Sequence, residues 1–251
     1  MLVVQDALRK HARPLLEVAF TFAFIVFILW MPRPQQGWLS LIALGWILGS
    51  SFLVRENRDA VELGISGFRR SLWVIATALV LASIEILIAQ HEQTLHSPFV
   101  NGVVRYRFSG YVIWSFVQQF ILQDYFLLRF LRAFRKPSWA VVTSATLFAL
   151  AHLPNPVLTV ATLLWGVVAC TLFLRYRDIY SLGVVHAVFG LTIAVCVPAA
   201  IHHNMRVGLG YLRYHPHHAK VQRSQIDQSV STDAWVMADA AIRRSERQAR
   251  P

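Results

Sequence analysis

Seven stretches of 17–20 residues, each nearly free of charge, limit what this 251-residue chain can fold into. They run Pro14–Met31, Trp38–Val54, Leu72–Ala89, Ser109–Leu128, Pro137–Leu153, Pro156–Leu174 and Leu182–Ile201. A helix of about 20 mostly apolar residues crosses the hydrocarbon core of a bilayer. The composition agrees: 56% of residues are hydrophobic and 15% charged, against about 45–50% and about 25% in ordinary soluble domains. The expected fold class is all-α, a polytopic membrane helical bundle of about seven transmembrane helices in the cell membrane.

Arg9, Lys10 and Arg13 precede the first apolar run, as in a signal peptide, but that run is 18 residues long and is followed by Met31-Pro32-Arg33-Pro34 rather than small residues. It is expected to be a retained span. With the N-terminus cytoplasmic, 13 Lys/Arg fall on the inner side and 3 in the outer loops, as the positive-inside rule requires. The remaining 8 lie in the tail after the last span, which an odd number of spans would place outside. The net charge of +11 is thus distributed beside spans. It is not gathered into a stripe with stacking aromatics, and no nucleic-acid partner is expected.

Three regions follow: a cytoplasmic amphipathic segment 1–13, a transmembrane bundle 14–201, and a polar basic tail 202–251. Arg55–Ser71, with Gly64 and Gly67, reads as an interfacial segment. The loop Gln90–Phe108 reads as polar and then strand-like around Val103–Phe108. His202, His203, His215, His217 and His218 form a histidine-rich patch without acid or thiol ligands, and Ser231–Arg250 has the pattern of a short capped amphipathic helix. Cys170 and Cys196 lie inside spans without metal or redox spacing and read as small packed hydrophobes.

Five spans each carry one ionisable group: Glu17, Glu85, Asp124, His152 and His186. Such groups are expensive in a bilayer, by about 2.5–3.5 kcal/mol on insertion scales, and the default reading is functional. The stretch Gln118–Lys136, QQFILQDYFLLRFLRAFRK, stands at the centre, with Asp124 about 7–8 Å deeper than Arg129 at roughly 1.5 Å per residue. His186 can share that level. His152, near the far end of its segment, is offset on the order of 10 Å by the same rise. A carboxylate and two imidazoles at low dielectric can activate water and stabilise an oxyanion, or they can hold a divalent metal such as zinc through Asp124, His152 and His186. No clustered ligand motif such as His-Glu-x-x-His is present, which favours the first.

Asp124 to Arg129, then Phe148-x-x-x-His152, then His186, resembles the CPBP family of intramembrane endopeptidases, also called the Abi or type II CAAX prenyl protease family. Its three motifs are Glu-Glu-x-x-x-Arg, Phe-x-x-x-His and His-x-x-x-Asn/Asp, on separate transmembrane helices. The resemblance covers about 80 residues within 109–201. Aligned on Arg129, Asp124 takes the first Glu position and Tyr125 the second, and Gly190 stands where the third motif has Asn or Asp. The resemblance implies hydrolysis of a membrane-embedded or lipidated peptide, with Asp124 as general base, His152 assisting and His186 polarising the scissile carbonyl. His186 would act alone or with Gln119, Gln123 or Tyr125; Arg129 and Phe148 support the site. The family has also been described as metal-dependent.

Blander readings stand beside these. Arg129 can be a snorkelling anchor like Arg132 and Arg135, His152 an interfacial residue, and Phe148 core packing. The rival functions are a non-catalytic scaffold or immunity protein that keeps the fold, and an ion-coupled transporter using Glu17, Glu85 and Asp124.

Overall fold

A computed structural model describes residues 2–53, 65–95 and 104–214, and every regular element among them is helical. In chain order these are α1 (Leu2–Leu29), α2 (Arg33–Leu53), α3 (Ile65–His91) and α4 (Val104–Phe120). A seven-residue π-helical segment, Ile121–Leu127, carries α4 into α5 (Leu128–Ala133). Then come α6 (Pro137–Leu150), α7 (Pro156–Tyr176), α8 (Ile179–Cys196), and the short α9 (Ala199–His202) and α10 (Gly208–Leu212) around a 3-10 turn at His203–Met205.

Among the described residues, four helices are long and apolar enough to cross a membrane: Ala12–Leu29, Gly67–His91, Pro156–Tyr176 and Ile179–Cys196. The expected seven are therefore met only in part. The shortfall is physical. Helix α2 opens on Arg33, Gln35 and Gln36, and the α4 to α5 run is interrupted by Gln118, Gln119, Gln123 and Asp124. Helix α6 is apolar but has only 14 residues.

Polar caps set where the later helices begin. Pro137 and Pro156 sit in the first turns of α6 and α7, where a missing N–H costs nothing. The Asn155 side chain accepts from Leu158 N–H, and its amide donates to the carbonyls of His202 (2.8 Å) and Arg206 (3.0 Å). Asp178 caps α8 by accepting from the N–H groups of Tyr180 (2.9 Å) and Ser181 (3.1 Å), and it also takes the hydroxyl hydrogen of Ser71 at 2.6 Å. The start of α3 is thereby tied to the start of α8. Gly67 lets this happen, because a Cβ there would collide with the Tyr176 carbonyl.

Helix α8 packs between α3 and α4, α6 lies along α7, and α1 runs against α2 and α5. The largest buried cluster is built on the π-helical segment: Leu122, Tyr125, Phe126 and Leu127 join Val18, Ile47, Phe148 and Phe173. Elsewhere Leu79, Val80, Ile88 and Val160 point outward, as lipid-facing residues do. Both cysteines are buried and free, matching the expectation of packed hydrophobes.

Several sequence expectations need correction. Val104–Phe108 belongs to α4 and is not a strand, because it continues the helical pattern of Ser109 onward. Of the expected interfacial segment Arg55–Ser71, Ile65–Ser71 forms the first turns of α3, Gly67 being used for close packing, and residues 55–64 lie outside the described residues. The expected amphipathic segment is helical from Leu2 and runs into the first span as one helix, which leaves that expectation standing. Residues 199–212 fold back on the bundle: Gly208 N–H donates to the Leu153 carbonyl, and at φ +53° its backbone lies so close to Leu29 that only glycine fits. His202 is buried and His203 stacks on Tyr211. His215, His217, His218 and the expected helix at 231–250 lie outside the described residues.

Candidate functional site

The segment from Gln118 to Arg129 has two faces. One is turned to α1. The Tyr125 hydroxyl shares a 2.6 Å hydrogen bond with Thr21, and the Arg129 guanidinium lies 3.6 Å above the Tyr125 ring. Arg129 Nε donates to Glu17 Oε2 at 3.1 Å, while Glu17 Oε1 accepts from Arg13 at 2.9 Å. Arg129 Nη1 also reaches the Tyr125 carbonyl, and Nη2 reaches Ser50. Only 4% of Arg129 is exposed, so it is no snorkelling anchor. It is the cation of a knot joining the first span to the central segment.

The other face carries amides toward the histidines. The Gln119 side-chain NH₂ donates to His186 Nδ1 at 2.8 Å, and Gln123 donates in turn to Gln119 Oε1 at 3.3 Å. An amide NH₂ cannot accept, so Nδ1 of His186 is the acceptor and the proton of the neutral ring sits on Nε2. His152 has the opposite tautomer. Its Nδ1 lies 2.7 Å from the Phe148 carbonyl, which can only accept, so Nδ1 carries the proton and Nε2 is the acceptor, with Gln118 Nε2 at 3.5 Å.

Phe148 holds the two imidazoles together. Its ring meets His152 edge-on at 5.0 Å and His186 at 5.8 Å between centroids. The two histidines come together because α6 ends at Leu150 and His152 turns back over Phe148, but they meet the central segment at Gln118 and Gln119, more than one turn before Asp124, so the offset from Asp124 expected from sequence remains. Trp165 closes the other side of His186.

Both histidines line a cavity of about 920 Å³. Its walls are largely apolar; Gln118, Tyr111, Glu85 and Trp165 contribute polar atoms beside them. A mostly apolar hollow with a few converging polar groups is the common form of a small-molecule or peptide site. Asp124, 5% exposed in the π-helical segment, is not among the lining side chains. Nor are Gln123, Tyr125 and Arg129.

Among the described residues, no three His, Cys, Asp or Glu side chains assemble as a metal site. Asp124 is not on the cavity wall that His152 and His186 line, so the ligand set Asp124, His152 and His186 is not gathered for a divalent ion such as zinc. The acids of the transporter reading do not share a path either. Glu17 is taken up by Arg13 and Arg129, and Glu85 stands on the cavity wall without Asp124.

Gln118 and Tyr111 were not named from sequence, nor was Glu17 as the partner of Arg129. Two adjacent glutamines in an apolar span are a readable signal, since buried amides need partners. Gly190 is another, because a missing motif side chain leaves a space that something must fill.

A polytopic helical membrane protein, with two buried histidines from different helices opening on one internal cavity, is the class that this fold and site define. Residues 108–192, about a third of the chain and all three motif segments, match the family described as Type II CAAX prenyl endopeptidase Rce1-like, which establishes the resemblance read from the motifs. That family is one of proteases. No curated protein and no solved structure matches the chain.

Proposed function

We propose that the chain is an intramembrane endopeptidase that hydrolyses a peptide bond of a membrane-embedded or lipidated peptide, with its N-terminus in the cytoplasm. The observation that carries this reading is the pair of motif histidines on one cavity wall, each held at Nδ1 by a hydrogen-bond partner. His152 Nε2 accepts a proton from water as the water oxygen attacks the scissile carbonyl carbon. His186 Nε2–H donates a hydrogen bond to the oxyanion. The tetrahedral centre then collapses, the C–N bond breaks, and His152 returns its proton to the leaving amine. One water is consumed, and a carboxylic acid and an amine are formed.

Asp124 remains the acid of the first motif, but in this reading the proton-accepting role belongs to His152. What supports this division is that a general base must reach its proton directly or through one water, and Asp124 is absent from the cavity wall. The π-helical segment bears on the same point. Its hydrogen-bonded turn holds one residue more than an α turn. With Tyr125 turned to Thr21, the pair Gln123-Asp124, one residue further from Arg129, takes the place of the family's two acids.

Comparing Asp124→Asn with His152→Ala tests the assignment through the new membrane-protein termini that each variant makes in cells. His152→Ala is expected to abolish them, and Asp124→Asn to leave a measurable share. Equal loss at equal expression would return the base role to Asp124. The scaffold reading is favoured by one observation, the substituted first and third motifs, and persistence of all wild-type termini in both variants would establish it.

A further inference from the structure

Helices α4 and α8 pack against each other along much of their length. Gln119 meets His186, Phe116 lies against Gly183, and Tyr111 lies against Gly190. Gly183, His186 and Gly190 recur at three- and four-residue spacing and form one stripe of α8. Both glycines on it are filled from α4. A Cβ at 183 would strike the Phe116 ring, and a Cβ at 190 would strike the Tyr111 hydroxyl and its ring carbon.

The second collision has chemical meaning. Position 190 is where the third motif calls for Asn or Asp, one helical turn from His186. The Tyr111 hydroxyl stands in the space where a side chain from 190 would begin, and Tyr111, Gly190, His152 and His186 all line the same cavity. A phenol stays protonated near neutral pH and can donate one O–H hydrogen bond. It therefore replaces a side-chain amide as a donor, although it comes from another helix.

We propose that Tyr111 supplies, from α4, the second hydrogen bond to the scissile carbonyl oxygen that Gly190 no longer supplies from α8. The hydroxyl donates a hydrogen bond throughout and transfers no proton; His152 alone carries the proton between water and leaving amine. Gly190 is then required by Tyr111, because no side chain fits there while the phenol is in place. This proposal rests on the endopeptidase reading.

The test uses the full chain in native membranes, reading the rate at which the wild-type set of new protein termini appears, with expression and thermal stability measured alongside. Tyr111→Phe keeps the ring and its packing, so stability should hold while the rate falls about 10²–10³-fold, the usual cost of one oxyanion donor. Gly190→Asn alone should be as slow, since the amide and the phenol compete for one space. Combining Tyr111→Ala with Gly190→Asn should recover at least tenfold over Tyr111→Ala, because the amide then enters the vacated space. Wild-type rate in Tyr111→Phe, with His186→Ala inactive, overturns the proposal and leaves the endopeptidase reading standing. Full activity in both His152→Ala and His186→Ala overturns that reading and this proposal with it.

Discussion

The two faces of the segment from Gln118 to Arg129 solve opposite problems with neighbouring residues. Toward α1, charge is used and paired: the buried Arg129 meets the Glu17 carboxylate, a tyrosine face and two oxygen acceptors. Toward α8, the partners are neutral: Gln123 supports Gln119, and Gln119 fixes one nitrogen of His186. A charged pair in a bilayer is costly unless paired and hydrogen-bonded, and it suits a joint that stays shut. Amides impose direction without charge, which suits a site where a polar group must keep an open atom toward a cavity.

Five substitutions would break or sharpen this contrast. The largest effect is expected on the cavity side, where His152→Ala or His186→Ala should each reduce cleavage by about 10³-fold or more, within the usual range for acid–base and oxyanion groups, with little change in the melting temperature. On the α1 side the effect is reversed. Arg129→Ala should destabilise the bundle by about 3 kcal/mol, the low end for breaking a buried pair because the Glu17 side chain is 18% exposed. A double-mutant cycle with Glu17→Ala should recover most of that as coupling energy.

Ser71→Ala comes next. It removes the 2.6 Å hydrogen bond to the Asp178 cap, and chemical denaturation should show a loss of about 1.5–2 kcal/mol, typical of a bond to a charged acceptor. Gln119→Leu is the mildest. His186 Nδ1 loses its donor, and cleavage should slow about tenfold, the worth of one ordinary hydrogen bond, with stability nearly unchanged. Because Gln119 acts through His186 as a positioning residue, Gln119→Asn should recover part of the rate. An equal fall in stability and rate would mean that this face is structural too.

Much of this was legible in the sequence, and the missing parts share a cause. Apolar stretches announce membrane helices because the bilayer demands continuous internal hydrogen bonding. His152, Phe148 and His186 could be read at motif spacing and do meet around one ring. Helix ends were harder. The 14-residue α6 was drawn through His152, although Leu153-Pro154-Asn155-Pro156 ends it at Leu150. The first motif was read in α-helical register, which cannot anticipate the extra residue of a π turn. Partners in distant segments escaped for a simpler reason: nothing local to Arg129 points to Glu17, and nothing local to Gly190 points to Tyr111.

The central claim is that two histidines on one cavity wall perform hydrolysis within the membrane. Its most direct test compares membrane-protein termini in cells carrying the wild-type chain, His152→Ala and His186→Ala at matched expression. The account predicts termini that are present with the wild type and lost in both variants, with all three proteins melting at similar temperatures. Termini that persist unchanged in both variants would contradict it.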